Sequence, residues 1–303
     1  MIQVIQKKTV NLEPYGASKT KTFLIEKFSC LSDLERGIEA KGESIHDPRR
    51  DFFINSPSDP DFNGFESPEE LRTLLKSGVS DTSAVRQVCR LRAAKNAGSV
   101  IKTRRFDLMG EEVDIPAFLS GVPECMIDEV RVRKPYRSVR LLIDPGVHCG
   151  YTGKQLIEVG LIISRLIMAL EKAGRSVHLT IYDGFVAHEK PEVYLMSCDI
   201  KRSGTPLNAK KLLMCTHPSF FRGAGFTWVT RTADYRLSGL GMPMSGLMED
   251  HGDTLQFMKD HVFHEKEVYL LRSSDILEKI ADLNKTNGWE DRLVNQLFEE
   301  FIR

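Results

Sequence analysis

A chain of 303 residues with 41% hydrophobic content is long enough to bury a large core, as two domains or as one domain with an extension. Lys plus Arg and Asp plus Glu both number 42, so no global field draws the molecule to nucleic acid or to an anionic membrane; only a local patch can. Arg165 interrupts the best apolar stretch and the N-terminus lacks the basic-then-apolar order of a signal peptide, which argues against a membrane span and for the cytosol.

Residues 22–28 read as a strand, and Ser32-Asp33-Leu34-Glu35 opens a short helix through Ile38. Residues 44–66, rich in Pro, Asp, Asn and Ser, read as a loop. Ser67-Pro68-Glu69-Glu70 is a strong helix start: Ser67 caps, Pro68 suits the first helical position and Glu70 completes a capping box. That helix runs to Lys76 and stops at Gly78. A second, capped by Asp81, runs to Lys95 and closes at Gly98, with Ala84, Val88 and Leu91 on one face. The first third is thus small, mostly helical and loop-rich.

Asp114-Ile115-Pro116 begins a single turn ending at Gly121, and residues 125–132 alternate like a strand leading into another at 139–143. A helix over 152–173 follows, then strands over 177–182 and 193–196, a helix from Asn208, strands over 226–229 and 268–271, and helices over 275–284 and 290–302. Strands alternating with long helices imply parallel strands joined by crossovers. Cys30, Cys89, Cys125, Cys149, Cys198 and Cys215 form no C-x-x-C pair, which disfavours a zinc ribbon and a disulfide scaffold; they read as reduced and mostly buried.

In an open α/β sheet ligands sit outside the carboxyl ends of strands. Asp144 ends the apolar run Leu141-Leu142-Ile143, Thr205 lies in a turn whose Pro206-Leu207 opens a helix, and Asp275 follows the apolar run 268–271. Two carboxylates and a hydroxyl suit Mg²⁺ or Mn²⁺, whereas a nitrogen from His148 shifts preference toward Zn²⁺. Cys149 lacks the separated histidine a nucleophile needs. His217 reads as a satisfied, partly buried residue at a turn, and His251, His261 and His264 lack metal-site spacing and read as a solvated face. From Arg86 to Phe106 a basic stripe of Arg86, Arg90, Arg92, Lys95, Lys102, Arg104 and Arg105 carries no acid and could follow a phosphate backbone, although such a run is more often a solvated face.

The stretch from about residue 137 to 290 resembles the von Willebrand factor A-type domain, whose metal-ion-dependent adhesion site combines a D-x-S-x-S loop, a threonine loop often written G-T-P-L, and a later strand-end aspartate. Gly204-Thr205-Pro206-Leu207 matches the second element, while Asp144-Pro145-Gly146-Val147-His148 keeps only the aspartate of the first. More of the chain resembles bacteriophage proteins with this degenerate domain: Phe106-Asp107 through Gly121-Val122-Pro123-Glu124-Cys125-Met126, Thr205-Pro206-Leu207, His217-Pro218-Ser219-Phe220-Phe221-Arg222 with Phe226 and Trp228, and the helix of residues 67–77. The resemblance implies an α/β fold with a mainly parallel sheet flanked by helices, von Willebrand A-like and Rossmann-type, over residues 122–303, preceded by a helical, loop-rich extension over 1–121. It implies a phage-encoded, non-enzymatic protein-interaction module in the host cytoplasm, with a host or phage protein as partner. Asp144, His148, Thr205 and Asp275 would hold at most a weakly bound Mg or Mn ion. The alternatives are a metal-dependent phosphoesterase or nuclease using Asp144 and Asp275, and a nucleic-acid-binding protein using the stripe over 86–105.

Overall fold

A computed structural model describes residues 6–12, 14, 20–44, 48–80, 82–93, 100–107, 112–123, 125–133, 137–186, 192–233, 255–264, 267–283 and 288–302. Its strands are β1 (Gln6–Asn11), β2 (Thr20–Phe28), β3 (Val100–Asp107), β4 (Glu112–Val113), β5 (Met126–Arg133), β6 (Arg137–Asp144), β7 (Arg175–Val186), β8 (Glu192–Lys201) and β9 (Val268–Arg272). The helices are α1 (Leu31–Glu39), α2 (Pro60–Asn63), α3 (Pro68–Ser77), α4 (Thr82–Ala93), α5 (Ile115–Leu119), α6 (Gly153–Lys172), α7 (Ala209–Leu213), α8 (Phe226–Thr232), α9 (Ser273–Asp282) and α10 (Trp289–Ile302).

The fold is α/β, built on a six-stranded mixed sheet in the order β1-β2-β8-β7-β6-β9 and flanked by helices. The pairs β2–β8, β6–β7 and β6–β9 are parallel, and β1–β2 and β7–β8 antiparallel. Successive side chains of a strand point to opposite faces, and the two faces have separate cores. Val139, Leu141, Ile143, Leu179 and Ile181 meet the side chains of α1, α3, α4, α6, α8, α9 and α10. Leu142, Tyr182, Phe23, Ile25 and Leu195 face the other way, onto Phe257 and onto Met258 and Val262 of the π-helical segment that follows it.

Helix α6 is the main crossover. Thr152 caps it and Gln155 reaches back to complete a capping box, and its inner face buries Leu156, Val159, Ile163, Leu166, Ile167 and Leu170. Helix α3 starts as its sequence dictates, with the Ser67 hydroxyl accepting from the Glu70 N–H and Pro68 in its first turn. In α4, Ala84 and Val88 are buried as expected, while Asp81, Lys95 and Gly98 lie outside the described residues, as does the side chain of Leu91.

Several expectations are corrected. Residues 226–229 form α8, not a strand, because the chain continues out of a π-helical turn at Ser219–Gly225 and buries Thr227, Trp228, Val229 and Thr230 around the helix. Strand-favouring residue types report a half-buried pleated surface, which all-round burial overrides. The first third is less helical than expected, since β1 and β2 extend the central sheet, and β3, β4 and β5 form a separate three-stranded sheet. The loop over 44–66 contains a 3-10 turn at Pro48–Arg50 and helix α2, and the helix after Asn208 spans only five residues. All six cysteines are free thiols, but only Cys125, Cys198 and Cys215 are buried; Cys89 and Cys149 are exposed.

Candidate functional site

Strand β6 has β7 on one side, reached through α6, and β9 on the other, reached after a long excursion. The order therefore reverses between β6 and β9, and the crevice outside their carboxyl ends is the switch point where open α/β sheets bind ligands. Asp144 ends β6 and pairs in register with Arg272, which ends β9; Asp275 follows within the first turn of α9. Ile143 pairs with Ile181, so Tyr182 of β7 stands at the same level, and its hydroxyl donates to Asp144 Oδ2 at 3.3 Å. The registers of β7, β8 and β2 carry this polar row onward through Ser197 to Lys27, whose ammonium donates to the carbonyl of Val262.

Asp144 is 3% exposed. Its Oδ1 accepts the Gly146 N–H at 2.9 Å, so both carboxylate oxygens are engaged within the protein. Burial pushes its carboxyl up to about 6, while Gly146, Arg272 and Tyr182 restrain the rise and Asp275 adds to it. Burial, with the Asp144 charge, also raises the Tyr182 phenol. Asp183 points to the opposite face, where Gly225 alone permits its approach: a Cβ there would lie 2.5 Å from Asp183 Oδ2. Burial and Asp144 raise that carboxyl well above the usual range, and among the described residues its Oδ2 has no hydrogen-bond partner.

The four residues expected to hold a metal do not assemble. Thr205 follows the carboxyl end of β8, which runs antiparallel to β7, so it sits at the opposite end of the sheet from Asp144. Its neighbours confirm this. Gly204 N–H donates to Ser176 Oγ at 2.9 Å and Ser203 Oγ lies 2.6 Å from Ser138 Oγ, and both serines stand at the amino ends of β7 and β6. Thr205 Oγ1 caps its own turn, donating to the Arg202 carbonyl. The antiparallel direction of β8 was the feature that chain order did not disclose.

His148 is exposed and its Nδ1 accepts the Gly150 N–H at 3.2 Å. Its carbonyl accepts from Arg222, a buried residue stacked 3.8 Å from the Phe62 ring, which ties the loop after β6 to α2. Asp144 and Asp275 are the two expected ligands brought to one edge, where Arg272 pairs in register with Asp144 and its charge restrains the rise of the Asp144 carboxyl. Among the described residues no three His, Cys, Asp or Glu side chains are grouped to hold an ion.

His217 is partly buried with Nδ1 2.6 Å from Ser219 Oγ, as its turn position implied. His261 is partly buried rather than solvated, with its ring 5.1 Å from that of Phe257, and burial lowers its pKa; His264 ends the π-helical segment at φ 55°, and His251 lies outside the described residues. The basic stripe is split. Arg86, Arg90 and Arg92 belong to α4, Lys102, Arg104 and Arg105 to β3, and Lys95 lies outside the described residues. On β3, Arg104 pairs in register with Glu129 and Arg105 with Asp128.

Sequence reasoning missed Arg272 and Tyr182. The signal for Arg272 was present, a charge closing the apolar run Val268-Tyr269-Leu270-Leu271 immediately before a helix. Tyr182 looked like any strand aromatic until the register set it beside Asp144.

This geometry defines an open α/β sheet protein with a polar switch-point crevice. The chain belongs to the family described as a domain of unknown function, DUF7192, whose match spans residues 16–301. No curated protein and no solved structure matches it. No helix among the described residues is long and apolar enough to cross a membrane.

Proposed function

We propose that the chain is a non-enzymatic protein-interaction module, a Rossmann-type scaffold that presents a short apolar helix to a protein partner. The observation that carries this reading is α5, where Ile115 is 65%, Phe118 62% and Leu119 78% exposed, with Val113 and Val122 also exposed beside them. Single exposed apolar residues are ordinary, whereas a contiguous run marks an interaction surface. The helix is held firmly at its start. Asp114 accepts from the Ala117 N–H at 3.1 Å, Pro116 lies in the first turn, and Gly121 closes the loop at φ 73°. A fixed apolar helix of this kind fits a hydrophobic groove on a partner.

The order β8-β7-β6-β9 supports the Rossmann-type reading, because taking β6 as the first strand gives 3-2-1-4, half of the doubly wound order. The antiparallel β8 departs from it. An A-type relation retains the Asp144 strand-loop-helix unit and Asp275 as support and loses the Gly-Thr-Pro-Leu match. The exposed run falls inside the segment 106–126 that resembles phage proteins, so the partner we propose is a host or phage protein of the cytoplasm.

The test is a photo-reactive residue at position 119, with one at exposed Lys172 as control. The expected result is a discrete crosslinked partner from position 119 alone, lost in Phe118→Asp while thermal unfolding is unchanged. Identical crosslinking from both positions would overturn the reading.

A further inference from the structure

Strand β9 is the outermost strand of the sheet. Arg140 N–H donates to the Glu267 carbonyl, and the register pairs Arg140 with Val268, Leu142 with Leu270 and Asp144 with Arg272. In a parallel ladder the bonds to β6 then run through residues 267, 269 and 271, so Val268, Leu270 and Arg272 turn their backbone groups outward. Among the described residues no strand pairs with that edge. Natural edges are blunted by charge, proline or a bulge; Val268-Tyr269-Leu270-Leu271 has none of these, and the charge of β9 is Arg272 at its end.

A cleft of about 320 Å³ opens beside this edge, between α9 and α10. Leu271, Ile276 and Leu297 give it apolar walls, and Lys279 bonds Glu300 at 2.8 Å within it. Arg272 and Asp275 also line it, and among the described residues the buried Nε and Nη2 of Arg272 have no hydrogen-bond partner. Neighbouring Asp144 does not supply one, since its oxygens take Gly146 and Tyr182 instead. Among the described residues the Oγ of Ser273, a fully buried residue at the start of α9, is likewise unpartnered. Buried unpaired donors are costly, and the planar guanidinium fork matches a carboxylate.

We propose that the β9 edge is a second binding site, which takes an extended acidic peptide of a partner protein as an added strand and seats one of its carboxylates on Arg272. Alternate apolar side chains of the peptide enter the cleft, and its backbone pairs with Val268 and Leu270. A second copy of this chain is a poorer occupant, because β9 itself carries no acid to offer Arg272.

The probe is a displayed library of random dodecapeptides, selected against the full chain and followed by fluorescence polarisation of the selected peptides. We expect sequences with an acid among alternating apolar residues, slowed amide exchange at Val268 and Leu270, and affinity at least about tenfold lower in Arg272→Gln. Arg272→Lys, which keeps the charge but not the fork, should fall between. Failure to select any peptide, acid-free sequences, or equal binding to Arg272→Gln with its folding intact would overturn the proposal. Peptides that protect residues 115–119 and leave β9 exchange unchanged would overturn it too, while the interaction-module reading, which rests on α5, would stand.

Discussion

Asp144 is a carboxyl whose burial opposes its charge. The unfolded carboxyl titrates near 3.8 and the folded one near 6, so between these values the folded chain binds more protons than the unfolded one. Stability therefore falls as pH rises through this window and is flat on either side for this group. The displacement corresponds to roughly 3 kcal/mol at most. Asp144→Asn keeps an oxygen for the Gly146 N–H and removes the buried charge. It should match the wild type near pH 4 and exceed it by about 1–3 kcal/mol at pH 7, read from urea unfolding at the two pH values. Asp183 has the same sign, so some pH dependence survives in the variant. A variant less stable at pH 7 would mean that the ionised carboxylate serves a bound cation after all. Buried Glu26, Glu35 and Asp51 are instead paired with Lys41, Lys76 and Arg231, and no sequence window announces it. Asp51, fully buried, takes Arg231 Nε at 2.8 Å and Nη2 at 2.9 Å across 180 residues of chain, so its loop composition predicted only exposure.

Elements with their own local signals were legible. The Ser67 cap, the apolar stripe of α6 and the apolar run of β9 each specify structure within a few residues. Helix α8 was not, because Phe226 and Trp228 alternate like a strand and only their packing against the sheet, with Trp228 Nε1 donating to Glu26 at 2.6 Å, selects the helix. Gly160 exposes the same dependence on packing. Helix propensity alone favours Ala there by up to about 1 kcal/mol. A Cβ at Gly160 would lie 2.7 Å from Thr216 Oγ1 and 3.3 Å from Leu213 Cδ2, where α6 meets α7. Thr216 is fully buried and has no room to swing away. Gly160→Ala should thus lose about 1–2 kcal/mol despite its propensity. Thr216→Ala removes a hydroxyl with no partner among the described residues, and in the double variant it should restore most of the loss; additive losses in the denaturation cycle would refute the contact.

Over the whole molecule, the alternation of strands with long helices gave the α/β class, while strand direction stayed hidden because a hairpin and a crossover leave similar apolar runs. That ambiguity placed Thr205 at the wrong end of the sheet, in a metal site from which the fold separates it. Charge is a global quantity of the same kind. The chain is neutral overall, and its basic stripe divides between α4 and β3, whose Arg104 and Arg105 stand opposite acids. A chain with no net charge has no global field to gather phosphates. DNA and RNA binding should therefore be undetectable at physiological salt, and charge reversal at Arg90 and Arg92 should change nothing in a polarisation titration. Phosphate contacts would instead make affinity fall linearly on a log-log plot against salt, with a slope near one for each contact. Such a slope, abolished by the two reversals, would restore the nucleic-acid reading, because a neutral chain acquires that dependence only through a local basic surface.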